Sequence, residues 1–182
     1  YDNAIEYFTK SISLYNKQSF SGQAYLWLGE SYYIKENMAA ARENIIKYIS
    51  TPQGKTAEQL QKAYYLLGYT YFDAKDYNNA TIYFDTFISI QNADKSPVYD
   101  DVLNRLGDSY FNNRNFTQAR KIYNKVSASS KVADYAQYQS AFILGLQKQY
   151  NAKIEQLNTL ITKYPHSDYN DDAMYEIGRT YV

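Results

Sequence analysis

The sequence predicts an all-α protein built as a stack of antiparallel helix pairs. First, one local pattern recurs: an aromatic or Leu, two residues, Leu-Gly, two residues, Tyr. Its copies are Tyr25–Leu28–Gly29–Tyr32, Tyr64–Leu67–Gly68–Tyr71 and Leu103–Leu106–Gly107–Tyr110, each followed by an Ala nine residues beyond the Tyr, at Ala41, Ala80 and Ala119. A fixed recurrence of this size marks a stacked repeat array. Second, the Gly-to-Ala distance is constant at 12, whereas the distance from that Ala slot to the next Gly slot varies between 22 and 27. The interior of each pair is therefore fixed in length and insertions fall between pairs, as expected when two helices keep one crossing while connections run over the surface. Third, apolar residues keep helical spacing. Ala63, Tyr64, Leu67 and Tyr71 share one face, and so do Tyr77, Ala80, Phe84, Phe87 and Ile88.

The elements follow in order. Tyr1–Ser11 carries Ala4 and Phe8 at the spacing of Ala80 and Phe84, and of Ala119 and Tyr123, so it reads as the second helix of a pair. The helix around Gly29 ends at the polar turn Lys35-Glu36-Asn37, and its partner carries Ala41. Thr56 and Gln59 form a capping box that opens the helix around Gly68, which Lys75-Asp76 joins to the helix of Ala80. Ser96-Pro97 places Ser as N-cap and Pro at the first helical position of the helix around Gly107. These starts lie upstream of where a short repeat would begin, so the extra length is expected to lengthen the first helix of some pairs. Asn112-Asn113-Arg114-Asn115 turns into the helix of Ala119. A degenerate copy has Ala141 in the Gly slot and Lys153 in the Ala slot, and a last first helix carries Met174, Ile177, Gly178 and Tyr181. A mid-helix Gly costs about 1 kcal/mol relative to Ala, so its recurrence needs a reason. Close approach of the paired helix is the reason expected here, with the Ala of the partner completing the contact.

Composition limits the function. The 182 residues are 45% hydrophobic, enough for a substantial interior. Basic and acidic residues balance at 19 each, without the basic excess of a nucleic-acid surface. No apolar run approaches the roughly 20 residues that span a bilayer. The absence of Cys rules out disulfides and thiolate zinc sites and fits an oxidising compartment. Tyr1 falls inside a repeat, so the natural N-terminus is expected to lie upstream. Half-repeats at the two ends are expected to leave faces able to join chains end to end.

These residues resemble the tetratricopeptide repeat, a helix-turn-helix unit of 34 residues. The resemblance rests on the Leu-Gly-x2-Tyr ladder, the Ala-x3-aromatic elements Ala4–Phe8, Ala80–Phe84 and Ala119–Tyr123, and the terminating Pro165. It implies a right-handed superhelical solenoid, with a half repeat at 1–20, full repeats at about 21–55, 56–95, 96–130 and 131–166, and a partial repeat at 167–182. A finer likeness lies in Lys163-Tyr164-Pro165-His166-Ser167 followed by Asp172-Ala173-x-Tyr175-x-Ile177-Gly178. It is similar to the joint of bacterial envelope proteins of the TolA-binding type and of outer-membrane assembly lipoproteins. That likeness implies residence in the periplasm or at the outer membrane; the cytoplasm stays open.

Candidates for chemistry are few. His166 is the single histidine and sits in a connection, where a solvated loop residue is the expected reading. Asp168-x-Asn170-x-Asp172 begins like a calcium loop, but Ala173 stands where the turn needs Gly and Arg179 where the loop needs Glu. Acids at a helix N-terminus explain it better, and Asp100-Asp101 reads the same way. The helical glycines lack the Gly-Lys-Ser/Thr of a phosphate loop. A non-catalytic protein with no cofactor and no metal is the expectation.

In the family it resembles, first helices line the concave groove. Carried over, the groove takes Gln23, Leu26, Glu30 and Tyr33, then Lys62, Tyr65, Tyr69 and Phe72, then Asp101, Asn104, Asp108 and Phe111, then Tyr135, Tyr138 and Phe142, and finally Asp172, Tyr175 and Arg179. Tyrosine combines large contact area with few rotatable bonds and a polar tip, which suits binding. Tyr is also frequent at two of these slots in the family generally, so repeat packing is the competing reading. The resemblance implies a scaffold holding a protein or peptide partner. The alternatives are a glycan- or peptidoglycan-binding module, with Trp27 one residue beyond a groove slot, or the helical platform of a larger enzyme.

Overall fold

The computed structural model describes residues 1–14, 20–52 and 54–182 of the chain; residues 15–19, part of the half repeat expected at 1–20, lie outside them. All regular structure among the described residues is helical. The helices are α1 (Asp2–Leu14), α2 (Phe20–Ile34), α3 (Met38–Ser50), α4 (Ala57–Asp73), α5 (Tyr77–Ser89), α6 (Tyr99–Asn112), α7 (Phe116–Tyr123), α8 (Ala133–Leu146), α9 (Tyr150–Lys163) and α10 (Asn170–Thr180), with a 3₁₀ turn at Ala93–Lys95. They fall into two compact units, 1–96 and 97–182.

In the first unit each helix packs on the next along the chain, and the first helices α2 and α4 also touch. The second unit repeats the scheme with α6 to α10, its first helices α6 and α8 in contact. The core of each unit is the stripe the spacing predicts: Ala63, Leu67, Ala80, Phe84 and Phe87 are fully buried in the first, and Leu103, Leu106, Ala119 and Ala141 in the second. Burying a side chain such as Phe84 or Phe87 contributes about 1.5–3 kcal/mol.

The Gly slots do make room for the partner helix, but the residue that fills the room is not the Ala. A Cβ at Gly68 would lie 2.3 Å from the Phe84 ring, at Gly107 2.5 Å from the Tyr123 ring, and at Gly29 2.5 Å from Ile45 Cγ1. The filling residue stands four positions after the Ala, one helical turn along the same face. At Gly29 the Ala carbonyl is also close, with Ala41 O 3.2 Å away.

The turns inside the pairs share one design. Glu36, Lys75, Arg114 and Lys148 all have left-handed backbone, with φ of 58–60°. In each, the N–H of this residue bonds the carbonyl three back and the next N–H bonds the carbonyl five back, as Lys75 to Phe72 at 2.8 Å and Asp76 to Tyr71 at 2.9 Å. That Schellman closure satisfies the last carbonyls of the first helix. The residue after it then caps the second helix: Asn37, Asp76 and Asn115 accept the N–H of Ala40, Asn79 and Gln118, each at 3.2 Å. The side-chain and backbone N–H groups of Asn79 hold the Asp76 carboxyl below the usual carboxylate range.

Between pairs the outcome is mixed. Thr56 and Gln59 form the capping box, and the helix it opens is extended to 17 residues. Ser96-Pro97 does not start α6. Ser96 closes the 3₁₀ turn in extended conformation, as a residue before proline must, and α6 begins two residues beyond Pro97 with Val98 at its N-cap. Asp100-Asp101 and Asp171-Asp172 do lie in first helical turns, where they complement the dipole, but neither helix has a side-chain N-cap bond.

Candidate binding face

In the first unit, α2 and α4 bring Tyr33, Lys62, Tyr65, Tyr69 and Phe72 onto one half-buried surface. Lys62 Nζ pairs with Glu30 at 2.7 Å and lies 4.2 Å over the centre of the Trp27 ring. The rings of Tyr65 and Tyr69 are 4.8 Å apart, and Tyr69 meets Phe72 at 6.4 Å and, edge to face, Phe84 of α5 at 5.6 Å. Tyr33 and Tyr65 rest on the core formed by Leu26, Ile45, Tyr48, Ala63, Leu66 and Leu67. These side chains thus serve packing on one edge and present the other to solvent. Leu26, expected on the face, is 1% exposed, while its neighbour Trp27 is 42% exposed. One residue is a rotation of about 100° on a helix, which turns Leu26 into the core and Trp27 toward Lys62.

The second unit uses the same slots differently. Asn104 and Asp108 are buried, at 1% and 6% exposure, and do not present open polar groups. Asn104 donates to the carbonyl of Val132 at 3.0 Å and so holds the approach to α8. Asp108 accepts the hydroxyls of Tyr123 and Tyr135, both at 2.6 Å, and pairs with Arg105 at 2.7 Å. Burial lifts the Asp108 carboxyl above its ordinary range, and Arg105 and the two hydroxyls offset this only in part. Burial, then the facing Asp108 charge, pushes the phenols of Tyr123 and Tyr135 far up, so both remain donors.

Tyr169, from the joint before α10, stacks on Tyr138 at 5.4 Å and 22°, and contacts Tyr135 at 5.6 Å. Ser167 of the same joint donates to Asp134 at 2.6 Å. Phe111 meets Phe142 at 6.1 Å and Phe116 at 5.3 Å. At α10, Tyr175 is 68% exposed and Arg179 stands 5.8 Å over its ring. Arg179 also pairs with Glu176 at 2.8 Å, and Glu176 with Lys153 at 2.6 Å. The degenerate Lys153 thus keeps a buried slot because Glu176 neutralises it and the small Gly145 leaves room beside its stem.

The surface therefore divides. Tyr33, Lys62, Tyr65, Tyr69 and Phe72 form an aromatic face with one ion pair, while Asn104, Asp108, Tyr135 and Tyr138 are drawn into bonds and stacks of the second unit itself. Trp27 and Tyr169 were not expected on these surfaces; the first lies one step off a slot and the second in a connection, outside the helical register. His166 is exposed in that joint. Among the described residues, no group of three His, Cys, Asp or Glu side chains is placed to hold a metal ion.

Paired helices, Gly slots filled by a side chain of the second helix, and an aromatic first-helix face define a helical-repeat protein. A tetratricopeptide repeat family model matches residues 61–94 and 100–130, and a second such model matches 135–167, together more than half of the chain. The chain belongs to the tetratricopeptide repeat family. No curated protein matches it in sequence. Its fold is similar to YrrB, described as a TPR protein with an unusual peptide-binding site, with 18% identity over 96% of this chain and 81% of that one and a TM-score of 0.71. It is also similar to BtubC from P. vanneervenii, with 11% identity, coverage of 99% and 80%, and a TM-score of 0.70. PilF of Pseudomonas aeruginosa matches with 13% identity, coverage of 94% and 72%, and a TM-score of 0.65.

Proposed function

We propose that the chain is a non-catalytic scaffold that holds a protein or peptide partner against the aromatic face of α2 and α4. The carrying observation is that Tyr33, Tyr65, Tyr69 and Phe72 are only half-buried and form one surface with the Trp27–Lys62–Glu30 group. Rigid aromatic side chains already locked by packing lose little entropy on binding. The peptide-binding site named for YrrB supports this reading. Capture from an extract of the source cell on immobilised chain tests it. One stoichiometric protein partner is expected, with affinity falling about tenfold or more for Tyr65→Ala or Tyr69→Ala. Equal capture by wild type and both variants overturns it.

The exposed Trp27 favours one second reading, stacking on a glycan. Titration with peptidoglycan fragments decides it: saturable binding lost on Trp27→Ala and Tyr65→Ala supports sugar recognition, and no binding supports the protein scaffold. Residence in the bacterial periplasm or at the outer membrane is part of the proposal. It is supported by the Tyr164-Pro165-His166-Ser167 joint and the absence of Cys. Cell fractionation of the full-length protein checks it, and recovery in the cytosol alone refutes it.

A further inference from the structure

In the first unit three tyrosine rings gather beside an arginine. Tyr64 and Tyr71 both stack on Tyr83, at 6.3 and 5.2 Å, and the Arg42 guanidinium lies 4.6 Å from the centre of the Tyr71 ring. Next to the Asn79 N–H groups, Arg42 also helps hold the Asp76 carboxyl in its charged form. Counted from the Gly and Ala slots, the second unit has Arg120 in the place of Arg42, and Gln137, Leu144 and Gln156 in the places of Tyr64, Tyr71 and Tyr83. Gln149 stands where Asp76 does. All three rings and the carboxylate are thus gone, while the arginine is kept. Arg120, Gln137, Leu144 and Gln156 line a cleft of about 470 Å³ between α7, α8 and α9, a volume that admits a small ligand. Gln137 and Gln156 brace its wall, each amide donating to the other's backbone carbonyl, at 3.1 and 3.2 Å.

Nε of Arg42 and Nε of Arg120 are both buried without a hydrogen-bond partner, a costly state unless a neighbour compensates. For Arg42 the face of Tyr71 compensates. For Arg120 the same slot offers only the aliphatic Leu144. Lys163 lines the same cleft, and among the described residues neither cation has a carboxylate within ion-pair distance. Glu155 is the single acid in the lining, against these two cations. We propose that this cleft is a binding site for a ligand that carries an aromatic ring and a carboxylate, as an aromatic acid or a peptide ending in Tyr does. Its ring takes the Tyr71 place beside the Arg120 guanidinium, and its carboxylate meets Arg120 and Lys163. The chain itself specifies the chemistry, because the same slots of the first unit hold tyrosine rings beside an arginine. The site is separate from the aromatic face of α2 and α4 and does not depend on it.

Titration of the isotope-labelled chain with N-acetyl-tyrosine, followed by amide chemical shifts, tests this. Saturable shifts are expected in α7, α8 and α9. N-acetyl-tyrosine amide, which lacks the carboxylate, and N-acetyl-leucine, which lacks the ring, are each expected to bind about tenfold or more weakly. Arg120→Met keeps the stem and should weaken binding by a similar factor. Leu144→Tyr returns the ring of the first unit to its slot and should abolish binding by filling the cleft, with circular dichroism confirming that both variants remain helical. A short peptide ending in Tyr distinguishes the sources: tighter binding than N-acetyl-tyrosine supports a protein C-terminus, and weaker binding supports a small aromatic acid. Absence of saturable shifts at millimolar N-acetyl-tyrosine overturns the proposal. So does equal binding of the acid and its amide, or wild-type affinity in both variants.

Discussion

Residue identity matters most where two helices touch. At Gly68 a Cβ would sit 2.3 Å from the ring of the fully buried Phe84, so the packed ring would have to shift. Gly68→Ala is expected to lower stability by about 1–3 kcal/mol despite the better helix propensity of Ala, as measured by urea unfolding. Gly178→Ala, with open space at the same slot, is expected to be neutral or to stabilise by up to about 1 kcal/mol. Asp108 gives a second residue-scale outcome. Its folded carboxyl lies above the unfolded one, so between those values the folded state binds more protons. Its contribution is therefore greatest below the unfolded pKa and is lost as pH rises through the raised folded pKa. Asp108→Asn keeps an oxygen that can accept from Tyr123 and Tyr135, and it should remove this part of the pH dependence in thermal unfolding scans.

At the scale of elements, helix pairing was legible in the residues, and helix starts and turn chemistry were legible only in part. Thr56 and Gln59 announced α4, because both halves of a capping box lie in one short stretch of chain. Ser96-Pro97 misled, because the intervening 3₁₀ turn uses Ser96 to close itself and leaves Val98 as the cap. The polar turns holding Glu36, Lys75 and Arg114 were legible, but the left-handed backbone there and at Lys148 was not, since long charged side chains replace the usual Gly. The closure around them is held by bonds between backbone groups, which composition does not reveal. Lys75→Gly should relieve left-handed strain and stabilise the α4–α5 pair by about 1 kcal/mol, read as a raised melting temperature. Asp76→Ala, which deletes the adjoining cap, should cost about 1 kcal/mol in the same measurement.

At the scale of the whole molecule, stability in repeat arrays is a sum of local units and their neighbours. Gly68→Ala is therefore expected to reduce amide hydrogen-exchange protection in residues 20–96 more than in 97–182, and uniform loss across both would refute this. The sequence by itself determined the all-α class, the pairing of helices and the positions of the packing glycines, because these depend on helical periodicity and a constant spacing. Only the tertiary structure decided which side chains fill the Gly slots, because that depends on the depth at which two helices cross. It likewise decided that Asn104 and Asp108 turn inward while Tyr33, Tyr65 and Tyr69 stay half-open. A side chain's exposure is set by what packs over it from distant parts of the chain: Tyr123, Tyr135 and the approach to α8 over Asp108 and Asn104, and Tyr169 over Tyr138.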